Sequence, residues 1–216
     1  DSPWHRMLKE TLPPLAGKRV LEIGCGRGGF AAWLGTQPEE RRPANLVASD
    51  FSPEAVRMAR EFGQSKGVKN VTYAVGDLMQ LEWPEASFDA VISSETIEHV
   101  PEPCRALAEL ARVLKPGGTL YLTFPSYFNL MGLYRIYLKL AGRPFTEEGQ
   151  PINHCLLLPR VRFWVGRAGF HILLTGGLGH YLPWPRRAPI RFPFADRVPL
   201  AWIFAHHSLL VAERKR

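Results

Sequence analysis

Cysteine is scarce in this chain of 216 residues, and the three present, Cys25, Cys104 and Cys155, stand far apart. An odd count without a Cys-x-x-Cys pair excludes a disulfide framework and a cysteine-built zinc site, and a reducing cytoplasm is the simplest setting. Long apolar runs are missing too. The stretch Pro199–Ala212 is broken by His206, His207 and Ser208, and it falls short of the roughly 20 residues that a membrane span needs. No basic leader followed by an apolar segment opens the chain, so no signal peptide is expected. Internal repeats and low-complexity tracts are absent. Acidic side chains are outnumbered, 20 against 27 basic ones, which gives a net charge of +7. Such a balance favours acidic partners. The arginines are nevertheless scattered, with one looser cluster at Arg186, Arg187, Arg191 and Arg197.

What is present suits one globular unit: 46% hydrophobic and 22% charged residues, in a length that a single core can serve. The pattern predicts a helix over 4–12, stopped by Pro13 and Pro14. A β-rich run, R-V-L-E-I-G, follows, and then a helix from Gly28 to Gln37. A second strand at Asn45–Ser49 ends on Asp50, and Ser52-Pro53 opens a helix that stops at Gly67. Strands V-T-Y-A-V and F-D-A-V-I-S-S come next, then a helix at Pro103–Leu114, broken by K-P-G-G before strand T-L-Y-L-T-F. Five strands alternating with helices mean parallel βαβ units in an open, doubly wound α/β sheet. Ligands bind such sheets at the carboxyl ends of the strands. Further on, helices are predicted over 128–140 and 158–168, a sixth strand at F-H-I-L-L-T, a long loop over 176–199, and a seventh strand at H-S-L-L-V-A.

Gly24, Gly26 and Gly28 lie where the first strand turns into its helix, and Gly24, Gly26 and Gly29 also spell the dinucleotide pattern GxGxxG. The glycines alone admit either a dinucleotide or another nucleoside. Three acids separate the readings. Glu22 interrupts an apolar strand, where a carboxylate is costly unless something cationic or hydrogen-bonding meets it. Asp50 ends the second strand, where a carboxylate can accept ribose hydroxyls, and Asp77 ends the third. Acids at three successive strand ends fit a ligand with an adenosine and a positive charge, and no pyrophosphate.

The motifs V-L-E-I-G-C-G-R-G, Asp50, G-D-L at 76–78, F-D-A-V-I-S-S-E-T-I-E-H-V at 88–100 and R-V-L-K-P-G-G at 112–118 resemble, in order and spacing, those of the class I S-adenosylmethionine-dependent methyltransferases. The resemblance is close over roughly residues 4–125 and loose beyond. It implies a Rossmann-like sheet of seven strands, mostly parallel with the last antiparallel, helices on both faces and a helical lid insert after strand five. One domain over 1–216 is expected, with a core at 15–125, an acceptor-side insert at about 126–169 and final strands at 170–216. The implied cofactor is S-adenosyl-L-methionine, leaving as S-adenosyl-L-homocysteine. Its implied cradle is Glu22, Gly24, Cys25 and Gly26 with Ser94 at the methionine portion, Asp50 at the ribose, and Phe51, Asp77 and Leu78 at the adenine.

Methyl transfer from a sulfonium is an in-line displacement, and a hydroxyl acceptor needs a base or a metal. The spelling E-T-I-E-H, Glu95–His99, resembles that of ubiquinone-biosynthesis O-methyltransferases, in which two glutamates and a histidine are linked to a divalent metal. The same spelling also shapes a loop in class I enzymes without a metal, and no metal is assigned here. His99 and His154 are the candidate catalytic residues; Tyr127 also stands near the acceptor side, and His171, His206 and His207 are read as structural. The apolar segment 128–140, with Arg135 and Lys139, reads either as a lid or as an interfacial helix at a membrane surface. The expected acceptor is a small hydrophobic or anionic molecule methylated on oxygen: a quinone precursor, a lipid-linked sugar or a natural product. Carbon and nitrogen acceptors stay open. A nicotinamide-dependent oxidoreductase would leave Glu22, Asp77 and K-P-G-G unexplained. Nucleic acid is not expected as a partner, because S-S-E-T stands where an N/D-P-P-Y motif would follow strand four.

Overall fold

The early strands β1 (Arg19–Ile23), β2 (Asn45–Asp50), β3 (Val71–Val75), β4 (Phe88–Ser94) and β5 (Leu114–Pro125) form the parallel part of one sheet. The computed structural model describes residues 2–143, 151–184, 189–198 and 200–216. Arg186 and Arg187 of the basic cluster therefore lie outside the described residues. Two late strands, β6 (Phe170–Leu178) and β9 (His207–Arg214), complete the sheet in the order β3-β2-β1-β4-β5-β9-β6. Only β9 runs against the rest, wedged between β5 and β6. The Rossmann-like fold expected from the sequence is the fold observed.

Each face of the sheet buries its own apolar layer. Helices α1 (Pro3–Thr11), α2 (Gly29–Gly35) and α3 (Pro53–Ser65) pack Leu8, Phe30, Leu34 and Ala59 on Val20, Leu46 and Ile92. On the other face, α4 (Pro103–Val113) and α6 (Leu158–Arg167) pack Leu107, Leu110, Val161 and Val165 on Leu21, Val91 and Leu122. Each such Leu or Phe contributes about 1.5–3 kcal/mol by leaving water. The helix starts follow local chemistry. Ser52 Oγ accepts from Ala55 N at 3.2 Å, with Pro53 at the first helical position. Helix α5 (Leu130–Leu140) starts two residues later than the apolar pattern suggests, because Asn129 caps it by accepting from Gly132 N at 3.1 Å.

Two expectations need correction. K-P-G-G does not stand before β5 but inside it, as a bulge: pairing jumps from Phe88–Leu114 to Ala90–Thr119. The hydrogen-bonded ladder tolerates extra residues on one strand, and Gly117 supplies the positive φ of 77° that the bend requires. Nor is 176–199 one loop. Strand β6 runs on to Leu178, and β7 (Tyr181–Leu182) pairs with β8 (Ile190–Arg191) in a short ribbon. No two-residue apolar period announces this ribbon. It is held by Asp196, which accepts from Gly179 N and pairs with His180 and Arg191 at 2.8–3.0 Å.

Candidate active site

The carboxyl ends of β1, β2 and β3 meet at the glycine turn. Gly24 N and Cys25 N both donate to Ser49 O, at 2.8 and 2.9 Å, which ties the turn to the end of β2. Gly24 has φ +79°, and a Cβ there would lie 2.1 Å from Thr96 Oγ1. Asp50 bridges two loops: Oδ2 accepts from Gly26 N at 2.8 Å and Oδ1 from Ser52 N at 3.0 Å. Glu22 is buried, and its Oε2 has no donor among the described residues. A buried oxygen of this kind fits a ligand that brings an N–H or an ammonium. Cys25 is buried beside these acids; burial first, then Glu22 and Asp50, push its thiol well above the ordinary range. Phe51 is 74% exposed beside the turn, a ring face open to a base. Asp77 Oδ1 accepts from Met79 N at 2.8 Å and closes a tight turn. The Leu78 side chain is buried in the core, so a ligand contact at that position comes from the backbone.

The next strand ends, those of β4 and β5, carry the remaining candidate residues. Ser94 Oγ and Thr123 Oγ1 share a hydrogen bond of 2.9 Å. Glu95 follows with φ +49° and reaches across β5 to His207 on β9, Oε2 to Nδ1 at 3.2 Å. Residues 98–100 and 152–154 clasp each other. His99 Nδ1 donates to Ile152 O at 2.9 Å, and His154 Nε2 donates to Val100 O at 2.9 Å. His154 N also donates to Glu98 O at 2.8 Å. The two histidines singled out in the sequence are thus brought together by the fold. Each commits one ring nitrogen to a carbonyl, and these partners set the tautomers. A cavity of about 580 Å³ is lined by Tyr127, Phe128, Leu133, Ile136, Tyr181 and Phe204, among others.

Residues 21–122 match the family described as methyltransferase domain. A ubiquinone biosynthesis O-methyltransferase of Xanthomonas oryzae pv. oryzae is 42% identical over 179 residues, 81% of this chain and 71% of that protein. The same-named protein of Xylella fastidiosa is 32% identical, over 81% of this chain and 69% of its own length. The chain belongs to the class I S-adenosylmethionine-dependent methyltransferases. The solved S-adenosylmethionine-dependent methyltransferase of Mesorhizobium loti shares the fold of this methyltransferase, with a TM-score of 0.69 and 21% identity over 97% of this chain and 96% of that one. S-adenosyl-L-methionine is its methyl donor, and its acceptor is a small molecule.

Glu95 turns to His207, while Glu98 Oε1 stands 3.7 Å from His99 Nε2. Among the described residues no three His, Cys, Asp or Glu side chains group at metal-binding spacing. The sequence does not single out Thr96, and it reads His207 as structural. Thr96 stands inside E-T-I-E-H but packs on Gly24, and His207 lies in a late strand that carries no motif. Only the placement of β9 beside β5 reveals the second.

Glu22 makes stability depend on pH. Burial, and then the Asp50 charge, push its carboxyl up to about 8 from an ordinary 4.5. Between those values the folded chain holds a proton that the unfolded chain has lost. Stability therefore declines as pH rises toward 8. The lowered imidazoles of His5 and His207 change stability only below about 6.5, so the window from there to 8 isolates Glu22. Across it the ligand-free methyltransferase loses about 2 kcal/mol, a fall in Tm of roughly 4–8 °C. In Glu22→Gln that slope flattens. Scanning calorimetry at stepped pH checks this, and parallel curves for the two proteins would refute it.

Proposed function

We propose that this methyltransferase transfers the methyl group to a phenolic oxygen of a small acceptor that carries a long apolar chain, as a quinone precursor does. The observation that carries the reading is the apolar cavity of about 580 Å³ between α5 and the β7–β8 ribbon, whose Tyr127 wall lies under Arg135, itself bonded to Asn153 beside His154. An apolar chain in that groove gains about 0.8 kcal/mol for each buried CH₂. The names of the Xanthomonas and Xylella relatives point to the same chemistry. On the donor side, Glu22, Gly24, Cys25, Gly26 and Ser94 take the methionine portion, Asp50 the ribose, and Phe51, Asp77 and Leu78 the adenine. The orphaned Glu22 Oε2 and the open Phe51 ring support this assignment. His99 and His154 form the acceptor-side wall, and residues 1–216 act as one domain.

The exposed face of α5 carries Leu133, Ile136, Tyr137 and Leu140 beside Lys139. In this reading that face rests on an anionic bilayer, from which the acceptor enters the groove. No helix among the described residues is long and apolar enough to cross a membrane. One assay tests the whole. Radiolabelled methyl transfer is measured to a polyprenylated catechol in phosphatidylglycerol vesicles and to catechol alone, with sedimentation of the protein on the same vesicles. Expected are a KM at least tenfold lower for the tailed acceptor, and co-sedimentation that salt weakens. Equal KM values, or label on nitrogen or carbon, overturn the acceptor; protein left in the supernatant overturns the bilayer contact.

A further inference from the structure

We infer that His207, oriented by Glu95, is the base that takes the proton from the acceptor hydroxyl during methyl transfer. The inference rests on the phenolic acceptor proposed above. Glu95 directly follows Ser94 at the end of β4, and it holds a left-handed backbone that a non-glycine residue adopts only at a cost. That conformation sends its side chain across β5, so that the carboxylate meets His207 Nδ1 at 3.2 Å. His207 is registered opposite Pro125, at the end of β5. A strained acid that positions an imidazole through Nδ1–H is the arrangement that fixes a tautomer and leaves Nε2 with its lone pair. No described residue is bonded to that Nε2.

The place is right on both sides. A wall of rings runs from the glycine turn to the apolar cavity. Phe30 on α2 stacks on His5 at 5.2 Å, and Trp4 meets His207 at 4.9 Å. His207 meets His206 at 4.9 Å, and His206 in turn meets Tyr127 at 5.2 Å and Tyr181 at 5.7 Å. Both tyrosines line the cavity. His207 therefore stands between the donor's turn and the acceptor's groove. The acceptor oxygen attacks the methyl carbon, the carbon–sulfur bond breaks with its electron pair going to sulfur, and the hydroxyl proton passes to His207 Nε2. The new imidazolium faces Glu95 through Nδ1–H and later releases its proton to water.

The experiment varies the acidity of the acceptor. A catechol keeps its proton at pH 7.5, whereas a nitrocatechol has lost one and needs no base. In His207→Gln, kcat with catechol falls about 100-fold or more, the usual worth of a general base. With nitrocatechol it falls less than tenfold. Calorimetric affinity for S-adenosylhomocysteine stays within threefold of the native protein. Glu95→Gln, a change in the positioning residue, lowers kcat on catechol with KM unchanged and is rescued in the same way. An equal loss on both acceptors makes His207 structural and overturns the inference, as does full activity of the variant. So does rescue by nitrocatechol that appears in His99→Ala and not in His207→Gln. A native protein that methylates neither phenol overturns the proposed acceptor, and the base with it.

Discussion

Asp50→Ala lowers the affinity for S-adenosylhomocysteine by at least 100-fold. Its two carboxylate oxygens hold Gly26 N at 2.8 Å and Ser52 N at 3.0 Å, one on the turn after β1 and one on the approach to α3. Each hydrogen bond to a charged oxygen is worth about 1.5–3 kcal/mol, so losing both withdraws about 3–6 kcal/mol from the geometry of the cradle. The ribose hydroxyls assigned to the same carboxylate go with them. At 1.4 kcal/mol for each tenfold, the lower bound is already two decades. Asp50→Asn keeps one acceptor oxygen and loses less. Isothermal calorimetry with S-adenosylhomocysteine reads the effect, and circular dichroism confirms that the sheet survives. An affinity within threefold of the native value would remove Asp50 from the site.

Gly24→Ala destabilises the fold by about 2–5 kcal/mol. One part is the backbone: an L-residue at φ +79° costs about 1–2 kcal/mol. The other part is steric. The new methyl would stand 2.1 Å from Thr96 Oγ1 and 2.6 Å from Thr96 Cγ2, and forced overpacking costs about 1–3 kcal/mol. The two parts separate in a double-mutant cycle. Thr96→Ala removes the two nearest clashing atoms, leaves Thr96 Cβ at 2.9 Å and restores part of the steric share, so the double variant is more stable than Gly24→Ala. Denaturant unfolding measures all three. Strict additivity would show that Thr96 does not bear on Gly24.

The glycine turn and the acids around it are legible because their signals are local. A turn that must bring backbone close to a ligand spells itself in glycines, and an acid in an apolar strand stands out without any partner in view. Ser52-Pro53 announced α3 for the same reason. The contacts beyond β4 are much less legible. His99 and His154 were noticed as residue types, but their clasp joins segments more than fifty positions apart in the chain. K-P-G-G is plain in the sequence, yet it lies inside β5 rather than before it. Glycine and proline signal a bend, and whether the bend ends a strand or bulges it depends on the neighbouring strand's register. The β7–β8 ribbon had no period to betray it, since Asp196 and the ring contacts hold it.

By itself, the sequence determined the α/β alternation, the glycine turn, the three acids and the methyl donor. Each of these rests on backbone conformations and burial costs that a few consecutive residues decide. Tertiary structure alone decided where β9 lies. Its insertion, antiparallel between β5 and β6, carries His207 to within hydrogen-bonding distance of Glu95, 112 positions away. Strand order is set by the summed burial of two apolar faces over the whole sheet. No short stretch of the chain contains that sum, and so none contains the pairing of Glu95 with His207.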